Sequence, residues 1–379
     1  MEIKNLKEAA NRIKKAVKNK EKIIIYGDSD LDGVTSVIIA KEAIKNLGGK
    51  IQAVYFPSRE NEGYGISEIG LNILKKFSPA LLVVLDCGIS NFQEVKIAKK
   101  LGLEVIIIDH HEILDKLPAV KIIVDPKQKG DKYPFKGLAA CGLAFRLAEA
   151  LLGKKMTENL RKDLIELTAL GTIADMMPRT DDNEIFILEG LKSLENSWRP
   201  GIKIFLNSLE DNLKFDQKIQ KLISVLNARD VENNFPASFR LLTISSADEA
   251  NSLLEKLIEK SEEKKRMVDV VFEEAEERLL GNNDKIIFEG DSNWDYSLIS
   301  VIASLLVNKH QKPAFIFKKG CKESQGTVRM PKGTNAVLLM KSCQELLIIY
   351  GGHPMAAGFR IKNENLDKFR ECLNKNFKT

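Results

Sequence analysis

The stretch KIIIYGDSDLDG at residues 22–33 decides the fold. Its apolar first half predicts a buried β-strand, and the helical spacing of apolar residues after Gly33 predicts a helix to about residue 47. Three carboxylates, Asp28, Asp30 and Asp32, crowd the turn between these elements. Because like charges repel, this arrangement is costly without a cation. Ligands of open α/β sheets bind outside the carboxyl ends of strands, which is where this turn falls.

The same alternation of strand and helix continues along the chain. Further strands are predicted near 51–56, 81–86, 104–109 and 121–125, with helices near 67–76, 91–101, 138–152 and 158–174. This order is typical of an α/β fold with a doubly wound parallel sheet. A charged stretch without glycine or proline predicts a long connecting helix, after which a smaller mixed α/β domain has strands near 285–289, 313–318 and 324–329 and a helix near 296–309. We therefore expect domains at 1–246 and 281–379, joined by 247–280.

Length and composition set broad limits on the class of protein. The chain has 379 residues, enough for two domains, and its 44% hydrophobic and 29% charged residues favour folded structure. The net charge of +5 is compatible with a polyanionic substrate but does not require one. The sequence contains neither an apolar run of membrane-spanning length nor an apolar signal core at its start, so we expect a cytoplasmic protein without a membrane partner.

The spacing of the cysteines shows no recognisable disulfide or zinc-binding pattern. Five are present, at positions 87, 141, 321, 343 and 372, without a Cys-x-x-Cys pair or histidines at zinc-finger spacing. The sequence therefore predicts neither structural zinc nor disulfides.

Two further predicted strands also end in metal-binding side chains. The strand near 81–86 ends in Asp86, and the strand near 104–109 ends in Asp109, His110 and His111. A single aspartate at such a position is more often a helix cap or turn former, but three strand ends with acid or imidazole favour a metal site. Carboxylate oxygens with a few imidazoles suit Mn²⁺ or Mg²⁺ better than zinc or copper. Two such ions would clamp a phosphodiester and generate hydroxide at neutral pH.

These motifs resemble the first three motifs of the DHH phosphoesterases, and residues 169–175 (ALGTIAD) resemble the fourth. The resemblance implies one ion held by Asp28 and Asp30, a second ion held by Asp32, His110 and Asp175, and Asp86 as the bridge between them. It also implies that His111 contacts the scissile phosphate and that Asp109 orients a histidine. The catalytic set implied in this way is Asp86, Asp109, His110 and His111.

Other segments resemble the RecJ branch of this superfamily. Residues 59–65 are similar to its arginine-containing loop, although a plain surface loop is an equal alternative. Residues 351–358 (GGHPMAAG) resemble the hallmark of the DHHA1 substrate domain, and their small residues predict a glycine-rich phosphate loop or, alternatively, a tightly packed helix. The substrate contacts that the resemblance implies are Arg59, Thr327, Arg329, Gly351, Gly352 and His353.

Two matches are incomplete. Met330 stands where the RecJ pattern has a serine after Arg329, and residues 226–229 lack the glycine that precedes the arginine in a further RecJ segment, which leaves Arg229 only as a backbone contact. Because 21 residues follow Gly358, we expect the oligonucleotide-binding barrel of larger RecJ proteins to be absent.

Three functions remain open at this stage. The resemblance implies a 5′-to-3′ exonuclease that releases mononucleotides from single-stranded DNA, rather than RNA, in repair or recombination, with a single-strand-binding or repair protein as a partner. The second is a phosphodiesterase for short oligonucleotides or dinucleotides, which the expected lack of a barrel favours. The third is a non-catalytic replication scaffold, which the intact set of metal ligands disfavours.

Overall fold

The computed structural model describes residues 2–59, 61–113, 116–210, 212–228, 230–280 and 284–377. The chain forms two compact units, Met1–Ser261 and Glu262–Thr379. The boundary between them falls within one long helix, Ala247–Arg278, in the stretch that the sequence predicts to be helical.

The first unit is built on a parallel sheet of five strands. The strands are β1 (Ile23–Gly27), β2 (Ile51–Tyr55), β3 (Ala80–Leu85), β4 (Leu103–Ile108) and β5 (Ile122–Val124). Their order is β2-β1-β3-β4-β5. All neighbours pair in parallel, so the five carboxyl ends meet at one edge of the sheet. The doubly wound α/β class predicted from the sequence is confirmed.

Both faces of this sheet are covered by apolar residues, as expected for a parallel sheet. Along β1, Ile23 and Ile25 belong to one core cluster, whereas Ile24 and Tyr26 belong to the cluster on the other face. The continuous isoleucine run is therefore explained by burial on both sides, which fixes the strand and the turn that follows it.

Eleven α-helices of the described residues begin in the first unit. They are α1 (Leu6–Lys18), α2 (Leu31–Asn46), α3 (Glu68–Leu74), α4 (Phe92–Lys100), α5 (Ala140–Leu152), α6 (Glu158–Ala174), α7 (Asp181–Leu194), α8 (Pro200–Ser208), α9 (Phe215–Leu226), α10 (Ala237–Thr243) and α11 (Ala247–Arg278). A short hairpin, β6 (Val231–Glu232) with β7 (Phe235–Pro236), precedes α10. No described helix is both long enough and apolar enough to cross a membrane.

The second unit contains a mixed sheet with the order β11-β12-β10-β9-β8. Its strands are β8 (Ile287–Asp291), β9 (Ala314–Lys319), β10 (Glu323–Arg329), β11 (Leu347–Gly352) and β12 (Ala356–Lys362), and its helices are α12 (Tyr296–His310), α13 (Ala336–Lys341) and α14 (Leu366–Asn376). Only β8 and β9 pair in parallel. The smaller mixed α/β domain is thus confirmed.

The glycine-rich segment forms a hairpin and not the tightly packed helix that was one of its two predicted structures. Residues 351–358 form the ends of β11 and β12 and the tight turn between them, so they are not a helix. Their role as a phosphate-binding loop stays a prediction. Gly351 pairs with Gly358, and Gly352 pairs with Ala357. Gly352 has a φ of 136°, and a Cβ at this position would collide with the backbone of Ala357. The small residues therefore serve a close turn between paired strands.

The prediction of no disulfide is wrong. Cys343, just after α13, is bonded to Cys372 in α14, with their Cα atoms 6.1 Å apart. The two cysteines are 29 positions apart, so local sequence spacing gave no signal of a pairing that depends on the fold.

A buried ion pair fastens the helical part of the first unit. Arg199 and Glu166 are both buried, with Arg199 Nε 2.9 Å from Glu166 Oε1. Arg199 also donates to the carbonyl oxygen of Leu242, and Ser197 donates to Glu166. Burial nevertheless raises the pKa of Glu166 to about 7, although the charge of Arg199 acts in the opposite direction. The pair ties α6 to the segments around α8 and α10.

We predict that Arg199→Met lowers the free energy of unfolding by about 3–5 kcal/mol at pH 8, because Glu166 is left as an uncompensated buried charge. The loss should be smaller at pH 6. Because the charge of Arg199 lowers the pKa of Glu166, its removal raises that pKa further. The folded variant then binds more protons than the folded wild type near neutral pH, so its stability falls more as the pH rises. Urea denaturation at both pH values measures the effect.

The matched control is Arg161→Met. Arg161 lies 2.6 Å from Glu189, but both side chains are exposed. Its removal should therefore cost no more than about 1 kcal/mol. Equal losses for the two variants, or a loss at Arg199 that does not change with pH, would contradict a buried-charge role.

Candidate functional site

The turn after β1 places Asp28, Asp30 and Asp32 at the start of α2. Asp30 caps this helix, since its Oδ1 accepts a hydrogen bond of 3.0 Å from the amide of Gly33. A Cβ at Gly33 would collide with the backbone of Asp28, so only glycine allows the turn to close this tightly. The positive end of the helix dipole favours the negative charges gathered here.

Arg59, in the loop after β2, neutralises part of this turn. Its Nε lies 2.9 Å from Asp28 Oδ1, its Nη2 also contacts Asp28, and Nη2 lies 3.3 Å from Asp30 Oδ2. Burial raises the pKa of Asp28 to about 7, and Asp30 adds to this against the opposing charge of Arg59. The structure therefore places Arg59 at the acidic turn. Glu60 of the same loop lies outside the described residues.

Asp32 is held by the first residues of α5. Its two carboxylate oxygens accept hydrogen bonds of 2.8 Å from the amides of Ala140 and Cys141. Gly171 of α6 packs so closely here that a Cβ would meet both Thr35 and Asp32. Burial raises the pKa of Asp32 to about 6, although the contacts with Cys141 act against it. A carboxylate bound twice in this way keeps one orientation.

Asp86 follows β3 with a φ of 60°, a left-handed conformation that is uncommon for a residue other than glycine. Its side chain is buried, and no donor in the described part of the chain forms a hydrogen bond to Oδ1. Burial raises the pKa of Asp86 well above its usual value, and the charge of Asp32 adds to this. A buried carboxylate oxygen of this kind needs a proton or a cation.

His110, after β4, points its Nε2 atom at three carboxylates. Its Nδ1 lies 3.0 Å from the carbonyl oxygen of Leu138, so Nδ1 carries the hydrogen and Nε2 presents a lone pair. Nε2 lies 3.2 Å from Asp86 Oδ1, 3.5 Å from Asp32 Oδ2 and 3.5 Å from Asp175 Oδ2. Burial lowers the pKa of His110, and the charge of His111 adds to this. Four electron-rich atoms therefore converge on one point.

His111 and Asp109 form a hydrogen-bonded pair beside this cluster. His111 Nδ1 lies 2.7 Å from Asp109 Oδ1, while Asp109 Oδ2 accepts from the amide of Ile89 at 2.9 Å. Burial opposes ionisation of both groups, but the charge of each stabilises the other. The pKa of Asp109 is therefore lowered and that of His111 raised. The geometry orients the imidazole of His111 and favours its protonated form.

The convergent atoms fall into sets suited to cations. The ligand atoms of Asp28, Asp30 and Asp86 lie within 4.8 Å of one another, as do those of Asp32, His110 and Asp175. These sets match the two that the sequence resemblance implied, with Asp86 located between them. Carboxylate oxygens with one imidazole are the donors that Mn²⁺ and Mg²⁺ prefer, so the residues present fit such ions.

Sequence reasoning missed two residues beside these sets. The hydroxyl of Tyr64 lies 3.0 Å from the carbonyl oxygen of Asp86 and 2.9 Å from His111 Nδ1. Lys127 Nζ donates to the carbonyl oxygen of His110 at 2.6 Å and lies 3.0 Å from Glu112. Tyr64 belongs to the arginine-containing loop, whose resemblance implied a role only for Arg59. Lys127 follows β5, a strand whose end carries none of the four metal motifs.

In the second unit, the predicted substrate residues gather at the ends of β10, β11 and β12. Arg329 Nη1 donates to Thr327 Oγ1 at 3.0 Å, and Thr327 pairs with Gly358 across β10 and β12. Gly351 and Gly352 end β11, and the amide of His353 donates to the carbonyl oxygen of Ala356 in the turn. Met330, at the position where the RecJ pattern has serine, is buried. Arg229 lies outside the described residues.

Two family descriptions match the chain. Residues 22–172 match the DHH family, N-terminal domain, and residues 283–379 match the DHHA1 domain. The first match contains the convergent carboxylates and histidines of β1, β3 and β4, and the second contains the Thr327–Arg329 segment.

Individual relatives extend the similarity to nearly the whole chain. The single-stranded-DNA-specific exonuclease RecJ of Bacillus subtilis is 36% identical over 387 residues, which cover 98% of this chain but 48% of that protein. The crystal structure of RecJ in complex with Mn²⁺ from Thermus thermophilus superposes with a TM-score of 0.82 at 26% identity, over 99% of this chain and 55% of that one. A structure of exonuclease RecJ bound to manganese matches with a TM-score of 0.79 at 26% identity, over 100% of this chain and 96% of that one.

The chain therefore spans about half the length of the Bacillus relative. Both compact units of the chain take part in the family matches, since the DHH match lies in the first unit and the DHHA1 match in the second. The chain belongs to the DHH/DHHA1 phosphoesterase superfamily, within which it is similar along nearly its whole length to the RecJ-type exonucleases.

Proposed function

We propose that the chain is a two-metal phosphodiester hydrolase that degrades single-stranded DNA from the 5′ end and releases mononucleotides. The observation that carries this proposal is the convergence of the His110 Nε2 lone pair with carboxylate oxygens of Asp32, Asp86 and Asp175. The RecJ relatives, described as specific for single-stranded DNA or bound to manganese, support the substrate and the metal.

In this proposal Asp28, Asp30 and Asp86 would hold one Mn²⁺ or Mg²⁺ ion, and Asp32, Asp86, His110 and Asp175 would hold the other. Such ions would supply a water molecule of lowered pKa and a positive clamp on the phosphodiester. The protein keeps two of these ligands in place through the contacts already described: Leu138 fixes the His110 ring, and two amides fix Asp32.

The remaining side chains bind and orient the substrate. His111, oriented by Asp109 and with its pKa raised by that carboxylate, would donate a hydrogen bond to a phosphate oxygen and stabilise the charge that develops during cleavage. Arg59, located at the acidic turn, would bind a phosphate oxygen of the substrate. Arg329, supported by Thr327, would bind the terminal 5′-phosphate and so set the polarity.

We further propose that the protein acts in the cytoplasm, in DNA repair or recombination, with a single-strand-binding or repair protein as a partner.

The proposed function is tested by digesting end-labelled single strands of graded length, DNA beside RNA, with Mn²⁺. Mononucleotides released from long DNA support the exonuclease. Activity confined to strands of a few nucleotides would instead support the alternative function, a phosphodiesterase for short oligonucleotides.

We predict that Asp86→Asn lowers turnover by more than about 100-fold, because both ions lose the charge of their shared ligand. Asparagine suits the left-handed backbone of this position better than alanine, so the fold should remain intact. Single-turnover cleavage and circular dichroism measure the two effects. Asp181→Asn, at an exposed position in α7, is the matched control. If Asp86→Asn keeps more than about one hundredth of wild-type activity, Asp86 has no bridging role.

We predict that Mn²⁺ affinity falls as the pH decreases through about 7 to 6. Burial raises the pKa of Asp28 to about 7 and that of Asp32 to about 6, so the metal-free protein takes up protons in this range. A metal ion must displace them, and affinity should fall by about tenfold per pH unit for each proton displaced. Calorimetric titration between pH 5.5 and 8 measures this slope, and a flat profile would contradict the prediction.

We predict that Arg329→Ala slows cleavage of 5′-phosphorylated strands far more than cleavage of 5′-hydroxyl strands. The variant can no longer form a charge-assisted hydrogen bond to the phosphate, at a cost of about 1.5–3 kcal/mol, or roughly 10- to 150-fold in rate. Arg360→Ala, which removes an exposed arginine of the same sheet, is the control. Equal slowing of both substrates would show that Arg329 has only a structural role.

A further inference from the structure

A pocket of about 380 Å³ opens on the first unit, away from the carboxylate cluster. It lies between the last turns of α2, the edge strand β2 and the corner formed by β7 and α10. Six of its lining residues define what we call the lysine–phenylalanine pocket: Lys41, Lys45, Lys50, Val54, Phe235 and Phe239. Three cations and two aromatic rings thus share one small concavity.

The cations of this pocket are poorly neutralised by the protein. Lys45 Nζ lies 3.9 Å from Glu42, and neither Lys41 nor Lys50 has an ion-pair partner among the described residues. Lys41 instead lies 5.3 Å from the centre of the Phe239 ring. Burial lowers the pKa of Lys41, and the charge of Lys45 adds to this. An anionic ligand is therefore the electrostatic complement of the pocket.

Two stacked aromatic rings line the pocket. Phe235 and Phe239 are stacked, with ring centroids 5.0 Å apart and an angle of 20° between the planes. Phe239 is buried, whereas Phe235 is half-buried and the outer member of the pair. An aromatic platform ringed by positive charges is the combination with which proteins hold single-stranded nucleic acid, since bases stack and phosphates meet the cations.

We propose that the lysine–phenylalanine pocket is a second binding site for single-stranded nucleic acid, outside the active site. This inference rests on the proposed function. The helix α2 begins beside the metal ligands, and Lys45 lies about 21 Å further along its axis. A strand with its end at the carboxylate cluster reaches the pocket only when it extends several nucleotides beyond the scissile bond, so the pocket acts on long strands and not on short ones.

The test compares two variants of the full chain with a matched control. Lys45→Glu/Lys50→Glu reverses two charges of the pocket, and Phe235→Leu removes the outer ring. Lys99→Glu/Lys100→Glu makes the same change of net charge at two exposed lysines of α4. Binding of labelled strands of ~4 and ~20 nucleotides is measured with the metal chelated, over a range of salt concentrations, and thermal melting verifies folding.

We expect the control to bind both strands like wild type. The lysine variant should bind the long strand more weakly. Its slope of log affinity against log salt should also be shallower by at least about 1.4, because each phosphate that is no longer neutralised removes about 0.7 and two are lost. Phe235→Leu should weaken long-strand binding by about 5- to 150-fold, the value of one stacked base. Short strands should bind, and with Mn²⁺ be cleaved, at wild-type levels.

The outcomes separate this inference from the proposed function. Hydrolysis by the wild-type protein tests the proposed function, whereas the length dependence of binding tests the pocket. The proposal that the pocket binds nucleic acid would be overturned by unchanged long-strand affinity in both variants, or by equal losses for short and long strands. It would also be overturned by an acidic peptide whose binding is lost in the variants while strand binding is unaffected, because the pocket would then belong to a protein partner.

Discussion

The repulsion among buried carboxylates at one edge of a parallel sheet is the constraint on which the rest of the first unit depends. Asp28, Asp32 and Asp86 are buried, and burial raises the pKa of each above its usual value. Parallel pairing makes this crowding unavoidable, because it brings the carboxyl ends of β1, β3 and β4 together. The fold tolerates the arrangement through fixed donors and one arginine, and a bound cation would relieve what remains.

The donors are mainly backbone groups at the ends of regular elements. The amides of Ala140 and Cys141 at the start of α5 bind Asp32, and the amide of Ile89 binds Asp109. Such groups cannot rotate away, and the apolar clusters on both faces of the sheet hold their elements rigidly. Because these donors are fixed in advance, the carboxylates stay in place despite their mutual repulsion. An ion-binding site requires ligands that are held in this way.

Sequence alone could predict the parts of this structure that are encoded locally. The isoleucine run of β1, the strands that end in Asp86 and Asp109, and the order of the four motifs all carry their signal within a few residues. The hairpin at residues 351–358 has no unique sequence signal, because small residues allow close approach of a ligand and close pairing of strands equally well. The Cys343–Cys372 bond and the contacts of Lys127 depend on residues brought together only by the fold.

The helix α2 shows how one element can serve opposite charges at its two ends. Its first turn carries Asp30 and Asp32, and its last turns carry Lys41 and Lys45. Both placements agree with the helix dipole, which favours negative groups at the start and positive groups at the end. The same dipole therefore supports the ligands of a cation at one end and the partners of an anion at the other. A nucleic acid strand cleaved by metal ions needs both kinds of contact, so in the proposed function a single helix would set the distance between the metal ligands and the lysine–phenylalanine pocket.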